Sequence, residues 1–444
     1  MSEKENVSTQ ETYAIDDAPL NRFHLRITAL TFGANFSDGY SLGIISIALT
    51  LLGPQMHLSS VWTGLLGSSA LIGLFFGSLF LGGLADRFGR QKIFITNFAI
   101  VSVFSFLQFF IQDATTLFIL RIIIGLAVGG DYAVGSTLLA EFAPKKQRGV
   151  LMASLNVLWT LGYVCATFVG FFLQKYGGSD NWRWMLVSCT IPGVIVLILR
   201  FGTPESPRWL ISKGRVEEAR AIVKKYIGER AVLDETISKT ESHRIADLFN
   251  KELWKRTMFG GLFYLCNVLP YFAVYTFLPK ILQEMHFGDW TFTVDTILNL
   301  FLLLGAIAGL WMINRFTRRG FVIYTFIILA VLLAILVILP SVWTVMIFVV
   351  FAIFTFTMSA AANLTLVYPA ELFPTEIRGI GVGVVTAISR IGAAIGTFAL
   401  PVIQDSLGLN IALLFMVAVL ILGAVVSIAW APETGKKSLE DVGH

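Results

Sequence analysis

The chain has 444 residues, of which 56% are hydrophobic and only 14% are charged, and its mean hydropathy is +0.75. This composition excludes an ordinary soluble domain and is typical of polytopic helical membrane proteins. The net charge of +4 comes from Lys and Arg in short segments between apolar runs. It therefore reports membrane topology and gives no reason to expect a nucleic-acid partner.

Apolar runs of about 20 residues predict an all-α fold with twelve transmembrane helices. The N-terminal segment 1–24 is polar and lacks the apolar core of a cleaved signal peptide, so we interpret it as a cytoplasmic tail. The predicted limits of the helices are 25–52, 62–82, 93–112, 117–140, 149–172, 185–202, 257–282, 294–313, 321–340, 344–368, 379–403 and 408–431.

Lys and Arg alternate between the two sets of connections. The basic connections are 83–92, 141–149, 200–256, 314–320 and 371–378, whereas those on the other side contain no Lys or Arg except for 173–184. Basic connections remain in the cytoplasm. The pattern therefore predicts a multi-pass protein of the cell membrane with both termini in the cytoplasm.

The fourth predicted helix carries charges at membrane depth. Its sequence RIIIGLAVGGDYAVGSTLLAE contains Arg121, Asp131 and Glu141, and its glycines predict close packing against a neighbouring helix. A charge in the middle of a bilayer costs about 3 kcal/mol or more and usually faces a partner or a water-filled cavity. Asp131 is therefore a candidate functional residue.

The chain repeats itself at an offset of about 228 to 230 residues. LAEFAPKKQRG (139–149) corresponds to PAELFPTEIRG (369–379), ADRFGRQK (85–92) to INRFTRRG (313–320), and TPESPRWL (203–210) to APETGKKSL (431–439). The repeat predicts two pseudo-symmetric six-helix halves, a plan that places the substrate between them. The predicted divisions are a tail 1–24, halves 25–202 and 257–431, a cytoplasmic linker 203–256 with amphipathic helices, and a tail 432–444.

These motifs resemble those of the major facilitator superfamily, in its "sugar and other transporter" branch. GGLADRFGRQK (82–92), RIIIGLAVGG (121–130), PESPRWL (204–210) and PETGKKSLED (432–441) are similar to the signatures of that branch, and the resemblance extends from residue 25 onward. It implies the fold of that superfamily, an alternating-access transporter and no enzymatic activity. SDGY (37–40) and GGDY (129–132) are similar to motifs of bacterial or archaeal aromatic-acid, phosphate and related metabolite–proton symporters.

Charged residues at the cytoplasmic helix ends form a predicted gate. Acids accompany the bases there, although orientation alone needs only Lys and Arg. We expect Gly83 and Gly89 to permit a sharp turn, and the charges to pair and close the cytoplasmic side. The alternative is that the bases are only topological anchors. The charged gate residues are Asp86, Arg87, Arg90, Glu141 with Arg148, and Glu371 with Arg378.

Arg390 suggests the class of substrate. A buried guanidinium cannot neutralise itself and needs an anion, and a carboxylate fits its planar fork. The alternative is a fixed pair with an acid of another helix. The seventh helix has Asn267, Tyr271 and Tyr275 but no glutamine, which weakens a sugar assignment. The resemblance adds that Tyr132, Tyr271, Asn363 and Arg390 line the substrate pocket. We also expect Trp159 there, as an aromatic residue that suits a ring-bearing body, and Asn267 of the seventh helix.

Asp38 and Arg121 suggest how transport is coupled to protons. The resemblance pairs the arginine of the fourth helix with an acid of the first helix, and Asp131 is a second protonatable candidate. A carboxyl that alternates between an apolar site and contact with an arginine can gain and lose a proton. A permanent Asp38–Arg121 bridge between two helices is the structural alternative.

We therefore predict a proton-coupled importer of a small organic anion that uses the proton gradient and no cofactor or metal. The three cysteines lie in apolar segments without metal-ligand spacing. A monomer in the bilayer is expected. The alternatives are a sugar or polyol symporter, a metabolite or drug exporter, and a sensor that has kept the carrier fold. No nucleotide-binding loop or nucleophile elbow indicates an enzyme.

Overall fold

A computed structural model describes residues 13–14, 18–176, 178, 180–232, 245–251, 253–339, 343–374 and 377–434. In this part of the chain, 12 helices are long and apolar enough to cross a membrane. The predicted all-α architecture with twelve spans is confirmed. Spans 1 to 12 are Arg22–Gln55, Ser60–Phe88, Arg90–Phe110, Ala114–Phe142, Gly149–Tyr176, Asn181–Arg200, Trp254–Thr276, Gly288–Arg315, Arg318–Ile338, Thr344–Leu372, Gly379–Leu407 and Leu409–Trp430.

Several spans are composed of two helical pieces. Span 6 consists of Asn181–Ser188 and Thr190–Arg200, and span 10 consists of Thr344–Ala362 and Leu364–Leu372, which meet at Asn363. Span 3 ends in a 3₁₀ turn at Gln108–Phe110, and span 8 begins with one at Gly288–Trp290. The α-helices that contain spans 5 and 11 begin at Lys145 and Arg378.

Polar residues just before the spans explain where several of them begin. The side chains of Asn21, Ser59, Asp113 and Thr317 accept hydrogen bonds from free backbone N–H groups at the starts of spans 1, 2, 4 and 9. Such N-caps satisfy donors that have no partner inside the helix. They place the helix starts more sharply than hydropathy does, which explains why the observed spans differ from the predicted limits by a few residues.

Glycines permit close contact between spans 2 and 4. A Cβ atom added at Gly125 would lie 2.0 Å from the carbonyl oxygen of Ala70, and one at Gly73 would lie 2.1 Å from that of Ile122. Any side chain at these positions would separate the two helices. This is the small-residue packing by which helices approach each other in a bilayer, and it fixes the depth of the charges on span 4.

The same helix pairing occurs twice. Span 1 packs on span 5, span 2 on span 4 and span 3 on span 6; span 7 packs on span 11, span 8 on span 10 and span 9 on span 12. We call spans 1 to 6 the first set and spans 7 to 12 the second set. Across the two sets, span 2 packs on span 11, and span 5 packs on span 8. The exact limits of the two halves remain predictions.

Short elements lie outside the spans. Helices Pro207–Ser212 and Val216–Tyr226 follow span 6, and helix Leu278–Glu284 follows span 7. The linker 203–256 was expected to contain amphipathic helices; its part just before span 7 shows a 3₁₀ turn at Ile245–Phe249, and residues 233–244 lie outside the described part. Tyr13–Ala14 and Ala231–Val232 form a two-residue parallel strand pair.

Candidate functional site

A cavity of about 1380 Å³ lies between the two sets of spans. Its walls come from spans 1, 2, 4, 5, 7, 10 and 11, so no single set of spans encloses it. Most of the residues that we predicted to bind substrate are present in its lining: Tyr132, Trp159, Asn267, Tyr271 and Arg390. Asp131 also lines it, and so do Asn35, Asn156 and Tyr264, which the sequence analysis did not select.

The cavity opens at the end of the bundle that carries the basic connections, which we call the basic face. Gly83, Gly149 and Gly379, all exposed, and Glu371 form part of its mouth. The opposite face is closed by contacts between the two sets. The Tyr163 hydroxyl donates to the carbonyl of Tyr275 at 3.0 Å, and a Cβ atom at Gly64 would lie 2.6 Å from the carbonyl oxygen of Phe398.

Arg390 is a cation of the cavity wall without an acidic partner. It is 5% exposed, and no carboxylate pairs with it in the described part of the structure. Its guanidinium carbon lies 5.0 Å from the ring centroid of Tyr132, a cation–π contact between spans 11 and 4. Its Nε atom is buried without a hydrogen-bond partner. The fixed ion pair that was the structural alternative is therefore not formed.

Aromatic rings form the wall next to this cation. Trp159 of span 5 lies 6.2 Å from Tyr271 and 6.0 Å from Phe272 of span 7, measured between ring centroids. The Trp159 Nε1 atom and the Asn267 Oδ1 atom are buried without partners. The wall thus offers one donor and one acceptor on an apolar surface, which suits a ligand with a flat apolar body and few polar groups.

Asn363 does not line the cavity directly. Its Nδ2 atom donates to the carbonyl of Ala306 at 3.0 Å, and its Oδ1 atom accepts a 3.0 Å hydrogen bond from Asn156 of span 5. This amide therefore bridges spans 5, 8 and 10. We expected Asn363 to bind substrate, but the structure places it behind Asn156, where it orients the amide that does line the cavity.

Asp131 forms a buried ion pair with Arg200. Arg200 Nη2 donates to Asp131 Oδ1 at 2.8 Å, and the two side chains are 0% and 1% exposed. Arg200 Nη1 donates to the carbonyl of Phe94 at 2.7 Å, and the guanidinium also contacts the Phe94 and Phe98 rings. In the sequence, Arg200 counted only as part of the basic connection 200–256. The signal was available, because Arg200 lies within the apolar run that we predicted to cross the membrane.

Asp38 lies beside this pair. It is 1% exposed, neither of its carboxylate oxygens has a hydrogen-bond partner, and it is close enough to interact electrostatically with Asp131 and Arg200. Two acids thus share one arginine in a dry part of the first set. We call Asp38, Asp131 and Arg200 the acid cluster.

The predicted pairing of Asp38 with Arg121 is not formed. In the described part of the chain Arg121 has no acidic partner; its Nη2 atom approaches only the Ser41 carbonyl, at 3.5 Å. Arg121 begins the third turn of span 4 from the opposite face, whereas Asp131 lies about 15 Å further along the helix at 1.5 Å per residue. Asp38 interacts with Asp131 and Arg200, and the Arg121 guanidinium meets span 1 at Ser41, three residues closer to the opposite face.

Two similar clusters lie at the basic face. In the first set Glu141 forms an ion pair with Arg90 and accepts a hydrogen bond from Ser206. In the second set Glu371 pairs with Arg318 at 3.2 Å and accepts a 2.6 Å hydrogen bond from Thr434. The predicted partners were Arg148 and Arg378, whose side chains lie outside the described part of the structure. We missed Arg318, although the repeat aligns it with Arg90.

Acids from the ends of the two sets cap spans 3 and 9 in the same way. Glu205 accepts from the backbone N–H groups of Arg90 and Gln91 at 3.0 and 3.2 Å, and Glu433 accepts from those of Arg318 and Arg319 at 3.1 Å. A carboxylate at a helix N-terminus meets free donors and the positive end of the helix dipole. These caps explain why PES and PET recur in the two halves.

The remaining gate residues have unequal roles. Gly89 has a φ of +107°, and a Cβ atom there would lie 2.5 Å from Glu205, so a glycine is needed. Gly83 is different: it lies inside span 2 with open space around it, and the turn that we predicted there is wrong. Asp86 is an exposed partner of Arg90 at 3.7 Å, and Arg87 lies over the Phe88 ring.

Twelve spans around a central cavity that opens at one face define a multi-pass membrane transporter. The chain belongs to the family described as "Sugar (and other) transporter", which matches residues 6–444. It is 45% identical over 432 residues to the inner membrane metabolite transport protein YgcS of Escherichia coli K12, covering 97% of this chain and 96% of that one.

The chain is also similar to a second relative and to a solved structure. The niacin transporter NiaP of Acinetobacter baylyi is 27% identical, with 97% of this chain and 98% of that protein covered. The inward-open structure of the xylose transporter XylE from E. coli superposes with a TM-score of 0.78 at 20% identity, covering 95% of this chain and 99% of that one. The fold is therefore that of the major facilitator superfamily, and the protein is a transporter rather than an enzyme.

Proposed function

We propose that the protein is a proton-coupled symporter that imports a small organic anion by alternating access. The observation that carries this proposal is Arg390, a buried guanidinium that lines the cavity and has no acidic partner in the described part of the chain. A buried cation needs an anion, and a carboxylate can meet a guanidinium with two parallel hydrogen bonds. Because only one such cation lines the cavity wall described above, a monoanion fits better than a dianion.

The aromatic wall favours a carboxylate with a flat apolar body. Tyr132 stacks against Arg390, and Trp159 and Tyr271 lie next to them in the wall. Few polar atoms of this wall lack a hydrogen-bond partner that a ligand would have to supply. A relative that is named as a niacin transporter supports this direction, since niacin is an aromatic monocarboxylate. We take aromatic or heteroaromatic monocarboxylates as the first compounds to test.

A sugar or polyol symporter is the second candidate. The cavity lining includes the amides Asn35, Asn156 and Asn267, which is more hydrogen-bonding capacity than span 7 alone suggested. Solved structures of similar fold are described as a proton:xylose symporter. A neutral polyhydroxylated ligand would use these amides, and it would not require Arg390.

Thermal unfolding of the purified protein separates the two candidates. The panel contains nicotinate, benzoate, short aliphatic acids, phosphate, xylose, glucose and organic cations, and it is applied to wild type, Arg390→Gln and Arg315→Gln. Arg315 is an exposed arginine at the basic face and serves as the matched control. Stabilisation by carboxylates in wild type and the control but not in Arg390→Gln supports the anion proposal. Stabilisation by sugars in all three supports the alternative.

We further propose that the acid cluster binds the coupling proton. With Arg200 paired to Asp131, a second ionised carboxylate at Asp38 would be buried without compensation, and such a charge is costly. A proton on Asp38 removes that charge, and the bound anion offsets the charge of Arg390. Arg200 thus takes the part that we had assigned to Arg121. The closest test is transport itself: Asp38→Asn should exchange substrate across the membrane but fail to accumulate it in response to a proton gradient.

Orientation and direction belong to the same proposal. If the basic face is cytoplasmic, as the positive-inside rule predicts, the cavity described here opens to the cytoplasm. Import then requires a second state that opens at the opposite face, reached by rocking of the two sets of spans. An exporter would accumulate substrate only in membrane vesicles of inverted orientation. We expect one chain to be sufficient, because the cavity is lined by residues of a single chain.

A further inference from the structure

Span 8 contains a buried acid that the transport mechanism above does not use. Asp295 is 2% exposed and lies near the start of the helix, at the closed opposite face. In the described part of the chain no Lys, Arg or His forms an ion pair with it. It is not part of the cavity lining, so the open basic face does not give water access to it.

The surroundings of Asp295 contain polar groups without positive charge. Asn299, one turn further along span 8, donates to the Asp295 carboxylate at 3.1 Å, and the amide oxygen of Asn299 is buried without a partner. Tyr163 of span 5 is close enough to interact electrostatically with Asp295, and it donates to the carbonyl of Tyr275 of span 7. Among the described residues, Tyr163 is the titratable group that faces the acid from another element.

We propose that Asp295 is a second proton-binding site, and that the opposite face closes only when this site is protonated. An ionised carboxylate is a pure acceptor, and here it would lie next to another open acceptor, Asn299 Oδ1. Protonation of Asp295 removes the buried charge, and the new O–H group is a donor for the open acceptor Asn299 Oδ1. A sodium ion would need several more oxygen ligands, whereas the nearest amide group, Asn299 Nδ2, donates to the Asp295 carboxylate and to the backbone carbonyl of Asp295.

Closure of the opposite face connects this site to the conformational change. Spans 5 and 8 pack across the two sets, and the Tyr163–Tyr275 hydrogen bond lies beside the acid. Separation of the two sets at this face would remove span 5 from span 8 and admit water to Asp295. The site can therefore exchange protons with the opposite side of the membrane only in the alternative state. Acid on that side then favours closure.

The test measures the conformation directly and needs no substrate, so its result is independent of the proposal for Arg390. Spin labels are attached at Val61→Cys and Trp290→Cys, two exposed positions at the opposite face in different sets, after Cys165, Cys189 and Cys266 are replaced by alanine. Distances between the labels are recorded by pulsed electron paramagnetic resonance from about pH 5 to about pH 9.

We expect a population with a longer distance to appear as the pH rises, and we expect Asp295→Asn to lose this response and to stay in the short-distance state. The matched control is Asp289→Asn, an exposed acid in the 3₁₀ turn at the start of the same span, which should respond like wild type. In Asp38→Asn the distance between the labels at the opposite face should still lengthen as the pH rises. If Asp295→Asn does not fold, Asp295→Glu, which keeps the carboxyl group, should restore both folding and the pH response.

Three results would overturn the proposal. The first is a wild-type distance distribution that does not change with pH. The second is a response of Asp295→Asn that equals that of wild type. The third is a distribution that follows the sodium concentration at constant pH, which would identify the ligand as a metal cation.

Discussion

The two sets of spans are alike at the basic face and different in the middle of the membrane. Glu141 and Glu371 occupy the same place in the repeat and make the same contacts, with an arginine at the start of the preceding span and a hydroxyl after the last span of the set. At mid-membrane the same offset of about 230 residues pairs Asp131 with Ala361 and Arg390 with Thr160. The helix pairing and the clusters at the basic face occur in both sets, whereas the buried charges at mid-membrane differ between them.

This asymmetry separates two tasks. The first set contains the acid cluster, in which two acids share one arginine, and the second set contributes a single unpaired cation to the cavity. The proton and the anion would thus bind to opposite walls. If that is right, substitutions at the duplicated clusters should have equal effects, and substitutions at mid-membrane should have effects that differ in kind.

The largest effect is expected at the Asp131–Arg200 pair. Asp131→Asn removes the only carboxylate that pairs directly with the fully buried Arg200 in the described part of the chain and leaves Asp38 as its remaining neighbouring acid, which should lower the free energy of unfolding by about 3 kcal/mol. The measurement is unfolding of the purified protein in detergent. Ala361→Asn, the equivalent position of the second set, is the comparison, since it removes no charge pair.

The double variant Asp131→Asn/Arg200→Gln tests whether the loss comes from the broken pair. It should be more stable than either single variant, because neither change then leaves an isolated charge. Additive losses would show that the pair contributes nothing beyond packing, and the acid cluster would no longer account for the asymmetry.

The next effect in size is expected at Arg390. Arg390→Gln removes the charge that a bound carboxylate would meet, at a cost of about 1.5–3 kcal/mol of binding free energy, or roughly 10- to 100-fold in affinity. Titration calorimetry with the most stabilising carboxylate measures it. Arg390→Lys, which keeps the charge but not the fork, should lose less. Equal binding by wild type and both variants would show that the anion binds at another place.

A smaller and equal effect is expected at the duplicated clusters. Glu141→Gln and Glu371→Gln each weaken a charge-assisted contact at a partly exposed position, and each should lower the unfolding free energy by about 1 kcal/mol. The two losses should agree within the error of the measurement. A large difference between them would mean that the two sets are not equivalent at the basic face after all.

The smallest effect is expected at Asp86. Its side chain is 73% exposed and lies 3.7 Å from Arg90, so water screens the pair. Asp86→Asn should leave thermal unfolding unchanged, whereas Glu141→Gln, which affects the same arginine, should not. A loss at Asp86 as large as that at Glu141 would contradict the reading that Glu141 is the main partner of Arg90.

The sequence predicted the parts of the molecule that rest on periodicity and repetition. Hydropathy was sufficient for twelve spans, and the repeat pointed to paired clusters at one face. The family resemblance and the residue types, rather than periodicity, pointed to the cavity wall, and Arg390, Tyr132, Trp159 and Tyr271 all line the cavity. These residues are on spans whose inner faces are determined by pairing that occurs in both sets.

The partners of the buried charges could not be predicted, because they depend on depth and rotation of separate helices. Asp38 and Arg121 are compatible in charge, but they lie at different levels, and Arg200 of span 6 reaches Asp131 instead. Asn363 was assigned to the substrate through the family resemblance, and it proved to orient Asn156. Asp295 gave no signal beyond being one acid in an apolar span.

The measurement that tests the central claim most directly is the number of protons taken up when the anion binds. Calorimetric titration of the purified protein with the best carboxylate, repeated in buffers of different ionisation enthalpy, gives that number. The account predicts about one proton per anion in wild type, and binding without proton uptake in Asp38→Asn. Binding without proton uptake in wild type, or unchanged uptake in Asp38→Asn, would contradict it.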